Sequence, residues 1–252
     1  MSRPRSGPSL VRLDHPSDGV AVITLDDAAH RNALRFAMTQ ALGTAVHEAL
    51  EGGARAIVLA AEPPVFCAGG SLDELLEPVA TLPEIYEGML ALASASVPTI
   101  AAVGGPAIGA GVNLPLFCDV IVASPSARFD PRWLDVGIHP GGGHLFRLAD
   151  RVGRQAAAAL VLLGEVVDGE RAADIGLAWR CVPDADLLPT AVALAERAVG
   201  RDGPLVRRTK ATLDASHTAG DADAARAIEL EAQEWSMARP EFTATLERLR
   251  RK

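Results

Sequence analysis

Two glycine turns are the first places where this sequence could do chemistry: "CAGGS", Cys67 to Ser71, and "GAGVN", Gly109 to Asn113. A backbone that turns tightly into a helix start presents N–H groups with no side chain in the way. A pair of such groups can hold an oxygen on which negative charge develops. Close packing of a strand on a helix calls for glycine equally well, so either turn alone decides nothing. A third segment, "FDPRWLDVGIHPGGGH" from Phe129, gathers the ionisable side chains Asp130, Asp135, His139 and His144. His139, beside the glycine run, is the first candidate for a pocket-facing base, because histidine titrates near neutral pH. A histidine merely packed or hydrogen-bonded in a loop is the alternative. Asn113 is an amide; it can hold a water or a carbonyl but takes up no proton at any accessible pH.

The elements around these residues read as an α/β front and a helical back. "VAVITL" at Val20 is a short β-branched strand, followed by "NALRFAMTQALGTAVHEALEGG", whose apolar residues recur at three and four and whose end is marked by Gly52 and Gly53. "RAIVLAA" and "PTIAAVGG" read as buried strands, each running into one of the glycine turns, with a short helix over 71–76 after the first. "CDVIVAS" is the next strand. Beyond Gly141 the β signal largely ends, apart from "LAWRCVP", and helical stretches such as "RQAAAALVLLG", "ADLLPTAVALAERAVG" and "PLVRRTKATLDASH" dominate. The boundary is expected near residue 190, with 1–190 as the core and 191–252 as a helical region serving oligomerisation.

Composition narrows the function further. With 252 residues and 49% hydrophobic content the chain can bury a sizeable core. A net charge of −8 argues against nucleic acid and anionic membrane surfaces as partners. Cys67, Cys118 and Cys181 are far apart and odd in number, with neither a metal spacing nor a disulfide frame, so no metal site is expected. The N-terminal "MSRPRSGPSL" has no apolar stretch behind it, and no segment approaches the ~20 apolar residues of a membrane span. A soluble cytoplasmic protein is the expectation.

Four stretches together resemble the enoyl-CoA hydratase/isomerase (crotonase) superfamily: "HRNALR" at His30, "FCAGGSLDEL" at Phe66, "VPTIAAVGGPAIGAGVNLPLFCDVIVAS" at Val97, and "GIHPGGGHLFRLADRVGR" at Gly137. "GERAADIGLAWRCVP" and "GPLVRRTKATL" continue the likeness, which covers roughly residues 10–215. The resemblance implies a spiral of ββα units, a helical C-terminal region that builds trimers or dimers of trimers, and an acyl-CoA thioester as ligand, with no cofactor beyond the coenzyme A of the ligand itself. It implies that the backbone N–H groups of Gly70 and Ala110 receive the thioester oxygen. It also places Arg31, Ala33, Ala68, Leu72 and Lys210 at the coenzyme A, Arg31 as a phosphate partner and Ala33 as a backbone contact to the adenine. A solvated charge is the competing reading for Arg31 and Lys210.

Two positions break the pattern. Hydratases of the family hold one water between two glutamates, and this chain has Asn113 at the first position and Trp133 at the second. Isomerases and dehalogenases place a carboxylate eight residues after the second position, where this chain has Gly141. Standard hydration is therefore doubtful. The alternatives are a non-catalytic acyl-CoA binding protein, or a divergent CoA-thioester hydrolase or decarboxylase using His139. Asp135, two positions from Trp133, is expected to point elsewhere. Ser71 stands where many members carry an aspartate, and Asp119 is expected to pair within the scaffold.

Overall fold

The computed structural model of the protein describes residues 10–251. Its strands are β1 (Val11–Ser17), β2 (Val20–Leu25), β3 (Ala56–Ala61), β4 (Thr99–Val103), β5 (Pro106–Ile108), β6 (Val120–Ala123), β7 (Arg128–Asp130), β8 (Val167–Asp168) and β9 (Arg180–Cys181). Its helices are α1 (Phe36–Glu51), α2 (Leu72–Leu76), α3 (Leu82–Ala93), α4 (Asn113–Phe117), α5 (His144–Leu162), α6 (Gly169–Asp174), α7 (Leu187–Val199), α8 (Gly203–His217), α9 (Ala222–Met237) and α10 (Pro240–Arg250). The described residues fall into two compact units, one ending at Val199 and the other beginning at Gly200.

In the first unit a six-stranded sheet runs in the order β1-β2-β3-β4-β6-β9, antiparallel at β1/β2 and parallel elsewhere. A small sheet, β5-β7-β8, stands beside it. The alternation of strand side chains sorts them into two cores. Ala21, Ile23, Leu25, Ile57 and Leu59 face a cluster shared with α1, α3, α4 and α5. Val20, Val22, Ala56, Val58 and Ala60 face the opposite way, where Leu187, Ala191 and Ala195, one helical turn apart, bring α7 onto the sheet. Each fully buried Ile or Leu in these layers contributes about 1.5–3 kcal/mol. α7 therefore belongs to the core, and the break falls after Val199 rather than near 190, because the small residues of α7 cover apolar strand faces.

The helices α1 and α3 touch backbone to backbone. A Cβ at Gly88 would lie 2.0 Å from Thr39 O, and one at Gly43 would lie 3.0 Å from Gly88 Cα. Glycine at both places lets α3 sit deep enough for its other side to wall a cavity.

The second unit holds α8, α9 and α10. Asp202 and Asp221 cap α8 and α9 by accepting from Leu205 N and Ala224 N, both at 2.8 Å. Arg239 binds Asp202 and lies 4.9 Å from the centre of the Trp235 ring. None of the residues of these three helices is buried, and Leu213, Leu230, Met237 and Leu249 are exposed. Among the described residues no helix is long and apolar enough to cross a membrane.

Candidate functional site

The two glycine turns meet. Cys67, beyond the end of β3, pairs with Ala107 of β5: Cys67 N donates to Pro106 O at 3.1 Å and Ile108 N to Cys67 O at 2.9 Å. The chain then turns at Gly69, with φ +88°, where a Cβ would lie 2.5 Å from Ile108 O and 3.5 Å from Ala110 N. Leu34 N donates to Gly69 O at 2.7 Å. Among the described residues no backbone hydrogen bond outside the helices uses the Gly70 N–H. Ala110 lies in the first turn of the 3-10 segment Gly109–Val112, where an N–H has no partner within the helix. Both turns border one cavity of about 380 Å³. Ser71 borders the same cavity, and its hydroxyl caps α2, accepting from Glu74 N.

Of the residues assigned to coenzyme A, Arg31, Ala68 and Leu72 border this cavity. Arg31 and Asn32 adopt left-handed backbone, φ 53° and 52°, held by the Asn32 side chain, which accepts from Asp27 N at 2.8 Å and donates to Glu62 O and Val65 O. Ala68 N donates to Arg31 O at 3.0 Å, so the two segments are tied together. Ala33 is half-buried next to Leu34, which does reach the wall. Lys210 lies on α8, in the second unit.

Trp133 is buried and walls the cavity, with Leu82, Ile85, Tyr86 and Met89 of α3 and with Val136 and Ile138. Asn113 is fully buried and is not part of the wall. Its Nδ2 donates to Gly141 O at 3.2 Å, which leaves Oδ1 to accept from His144 Nδ1 at 2.8 Å. His144 is 1% exposed, and its ring meets that of Trp133 edge to face with centroids 5.5 Å apart. Burial without a charged partner pushes the His144 pKa down to about 4, so the ring is neutral at pH 7. The neutral ring donates through Nδ1; its Nε2, an acceptor, and the Trp133 Nε1–H, a donor, are both buried without a hydrogen-bond partner among the described residues.

His139 is not where its sequence position suggested. It is exposed, with Nδ1 2.8 Å from Pro140 O, and its neighbour Ile138 takes the place in the wall. Asp135 is exposed and outside the wall, and Asp130 forms an ion pair with Arg132. Asp119 serves the scaffold as expected, accepting from Thr99 N at 2.7 Å and Thr99 Oγ1 at 3.0 Å. The Cys67 thiol is pushed up to about 12 by burial, which removes it as a nucleophile.

Two wall residues were not singled out by the sequence, Glu74 although it lies within "FCAGGSLDEL" and Tyr86 outside every motif. Glu74 is the acidic residue of the wall, and its Oε2 accepts from Phe36 N at 2.7 Å, holding the start of α1. Tyr86 brings a half-buried phenol from α3, whose pKa burial raises. Among the described residues no cluster of His, Cys, Asp or Glu is arranged to hold a metal.

Residues 15–248 match the family model described as enoyl-CoA hydratase/isomerase. The chain is 38% identical over 239 residues to the probable enoyl-CoA hydratase EchA14 of Mycobacterium tuberculosis, covering 90% of this chain and 92% of that one. A candidate enoyl-CoA hydratase of Thermobifida fusca, solved in complex with CoA, superposes with a TM-score of 0.82 at 30% identity, over 91% of this chain and 93% of that one. A T. fusca structure in complex with acetoacetyl-CoA gives 0.81 at 28% identity, over 91% and 95%.

Proposed function

The chain belongs to the enoyl-CoA hydratase/isomerase family, and from that premise we propose that it binds an acyl-CoA thioester with the carbonyl oxygen between the N–H groups of Gly70 and Ala110, without the acid-base pair of standard hydration. One observation carries the reading: two glycine turns far apart in sequence border a single cavity with backbone amides, while the two positions expected to hold acids carry a buried, internally bonded Asn113 and an apolar wall residue, Trp133. The CoA and acetoacetyl-CoA held by the T. fusca structures support the ligand class. Arg31 then meets a phosphate, and Ala33, Ala68 and Leu72 line the nucleotide's path. An amide pair aimed at a thioester oxygen favours enolate-like charge there, an effect worth roughly 10²–10³ in rate per donor where a reaction uses it.

The same observation favours a second reading, an acyl-CoA binding protein that kept the amide cradle and lost the acids. Isothermal titration tests what both share. Butyryl-CoA should bind at least about tenfold more tightly than free CoA, since burying three methyl or methylene groups contributes about 0.8 kcal/mol each. Equal affinities would remove the acyl pocket from the reading.

We further propose that the helical unit joins copies of the chain into a trimer or a dimer of trimers. Its three helices bury none of their residues within the chain and expose several leucines. Light scattering during size-exclusion chromatography should give three or six times the mass of one chain. A monomer at micromolar concentration would refute the assembly.

A further inference from the structure

We propose that the hydroxyl of Tyr86 selects the acyl chain, and that the preferred thioester carries an uncharged oxygen, hydroxyl or keto, on a short acyl group. This rests on the acyl-CoA reading above and adds the chemical class of the acyl group.

The loop after Trp133 is shaped around this hydroxyl. Gly142 has φ +69°, a conformation that favours glycine by itself, but no such demand applies at Gly141. A Cβ at Gly141 would lie 2.3 Å from the Tyr86 hydroxyl oxygen and 3.3 Å from Cζ, so a side chain there would force the phenol to shift, the hydroxyl most of all. The ring itself is wedged at Gly142, where a Cβ would lie 2.9 Å from Tyr86 Cε1 and 3.1 Å from Asn113 Nδ2. The phenol thus lies against a loop whose two glycines leave room for its ring and its oxygen.

That oxygen is also open to a ligand. Tyr86 borders the cavity, and among the described residues its hydroxyl has no hydrogen-bond partner. Other polar groups nearby are engaged or sealed. Glu74 holds Phe36 N and Arg132 is paired with Asp130, while Trp133 Nε1 and His144 Nε2 are closed off from solvent. Burial keeps the phenol protonated at neutral pH, so it offers a neutral donor in an otherwise apolar stretch of wall. An acyl chain with an oxygen satisfies that donor; a plain hydrocarbon chain desolvates it without return. A carboxylate would meet there Arg132, already paired with Asp130, while Arg31 on the same wall is given to a phosphate by the acyl-CoA reading.

The test compares wild type with Tyr86→Phe by isothermal titration, using butyryl-CoA, 3-hydroxybutyryl-CoA and 4-hydroxybutyryl-CoA. Wild type should bind at least one hydroxyacyl thioester about tenfold more tightly than butyryl-CoA, the scale of one neutral hydrogen bond. Tyr86→Phe should erase that preference and leave butyryl-CoA within about threefold of its wild-type affinity. No preference in wild type, or a preference that survives in the variant, would overturn the proposal. Should no thioester bind better than free CoA, the acyl-CoA reading itself fails, and the selectivity falls with it. Thermal melts of Gly141→Ala supply a check independent of ligand. The substitution should lower Tm in wild type and be tolerated in Tyr86→Phe, and an equal loss in both would show that the loop is not built around the hydroxyl.

Discussion

Crotonyl-CoA should be hydrated by this protein at least about a thousandfold more slowly than by a relative carrying glutamates at both of the positions that Asn113 and Trp133 occupy. The scale follows from losing two acid-base groups, each worth roughly 10²–10⁴. The structure strengthens the expectation for each residue separately. Asn113 cannot orient a water in the cavity, because its two ends are committed to Gly141 O and His144 Nδ1. Trp133 presents ring surface to the cavity and keeps its N–H sealed. Loss of the enoyl absorbance on mixing protein and crotonyl-CoA measures the rate. Activity within tenfold of the two-glutamate relative would sink the expectation and point to Glu74 or Tyr86 as a substitute. Restoring the pair as Asn113→Glu with Trp133→Glu should give at most a small gain. The first change breaks the bonds that hold His144, and the second removes a buried indole at a cost of about 3–5 kcal/mol for comparable truncations.

Much of this site could be read before any fold was known, and the parts that could not share a physical cause. The strands at Val20, Ala56, Thr99 and Val120 announced themselves because buried parallel strands are continuous apolar runs. The glycine turns and the substitutions at 113 and 133 lay within segments whose order carries the family likeness, and the family match and the α/β architecture agree with that reading. His139 failed because a loop has no fixed period, and one position decides between wall and solvent: Ile138 faces in and His139 faces out. Tyr86 carried no local signal. It sits on an ordinary amphipathic helix, and only the close crossing of α1 and α3 at Gly43 and Gly88 brings it against the loop of Gly141 and Gly142. α7 looked like part of the helical tail because its alanines, at Ala191 and Ala195, say nothing about which surface they cover.

Stability should fall by about 3 kcal/mol between pH 6.5 and pH 4 on account of His144 alone, the free-energy equivalent of the displacement of its pKa from 6.5 to about 4. The folded chain holds the ring neutral, so acidification puts the proton preferentially on the unfolded chain. The contribution of the buried neutral ring is therefore intact above about pH 6.5 and is lost as pH drops toward 4. Protonation of Nε2 would place a charge in a sealed space beside Trp133, with no acid there to receive it. Denaturant melts of wild type and His144→Gln, taken at intervals across this range, separate the residue from the other titrating groups. The variant should start less stable at pH 7 and show the shallower decline. Parallel declines would mean that His144 titrates normally in the folded chain.

The 2.3 Å between the Tyr86 hydroxyl and the space above Gly141 also constrains the order in which this protein could change. Position 141 is where the family resemblance implies a carboxylate in isomerases and dehalogenases, and a side chain introduced there must first displace the phenol. A replacement of Gly141 would crowd a space that still holds the phenol, so it should lower stability by the scale of an overpacked site, about 1–3 kcal/mol. Losing the hydroxyl first opens the path, so the two substitutions carry sign epistasis: harmful in one order, permitted in the other. A library randomised at 141 alone would return glycine and little else, while one randomised at 86 and 141 together would admit pairs that neither position tolerates by itself.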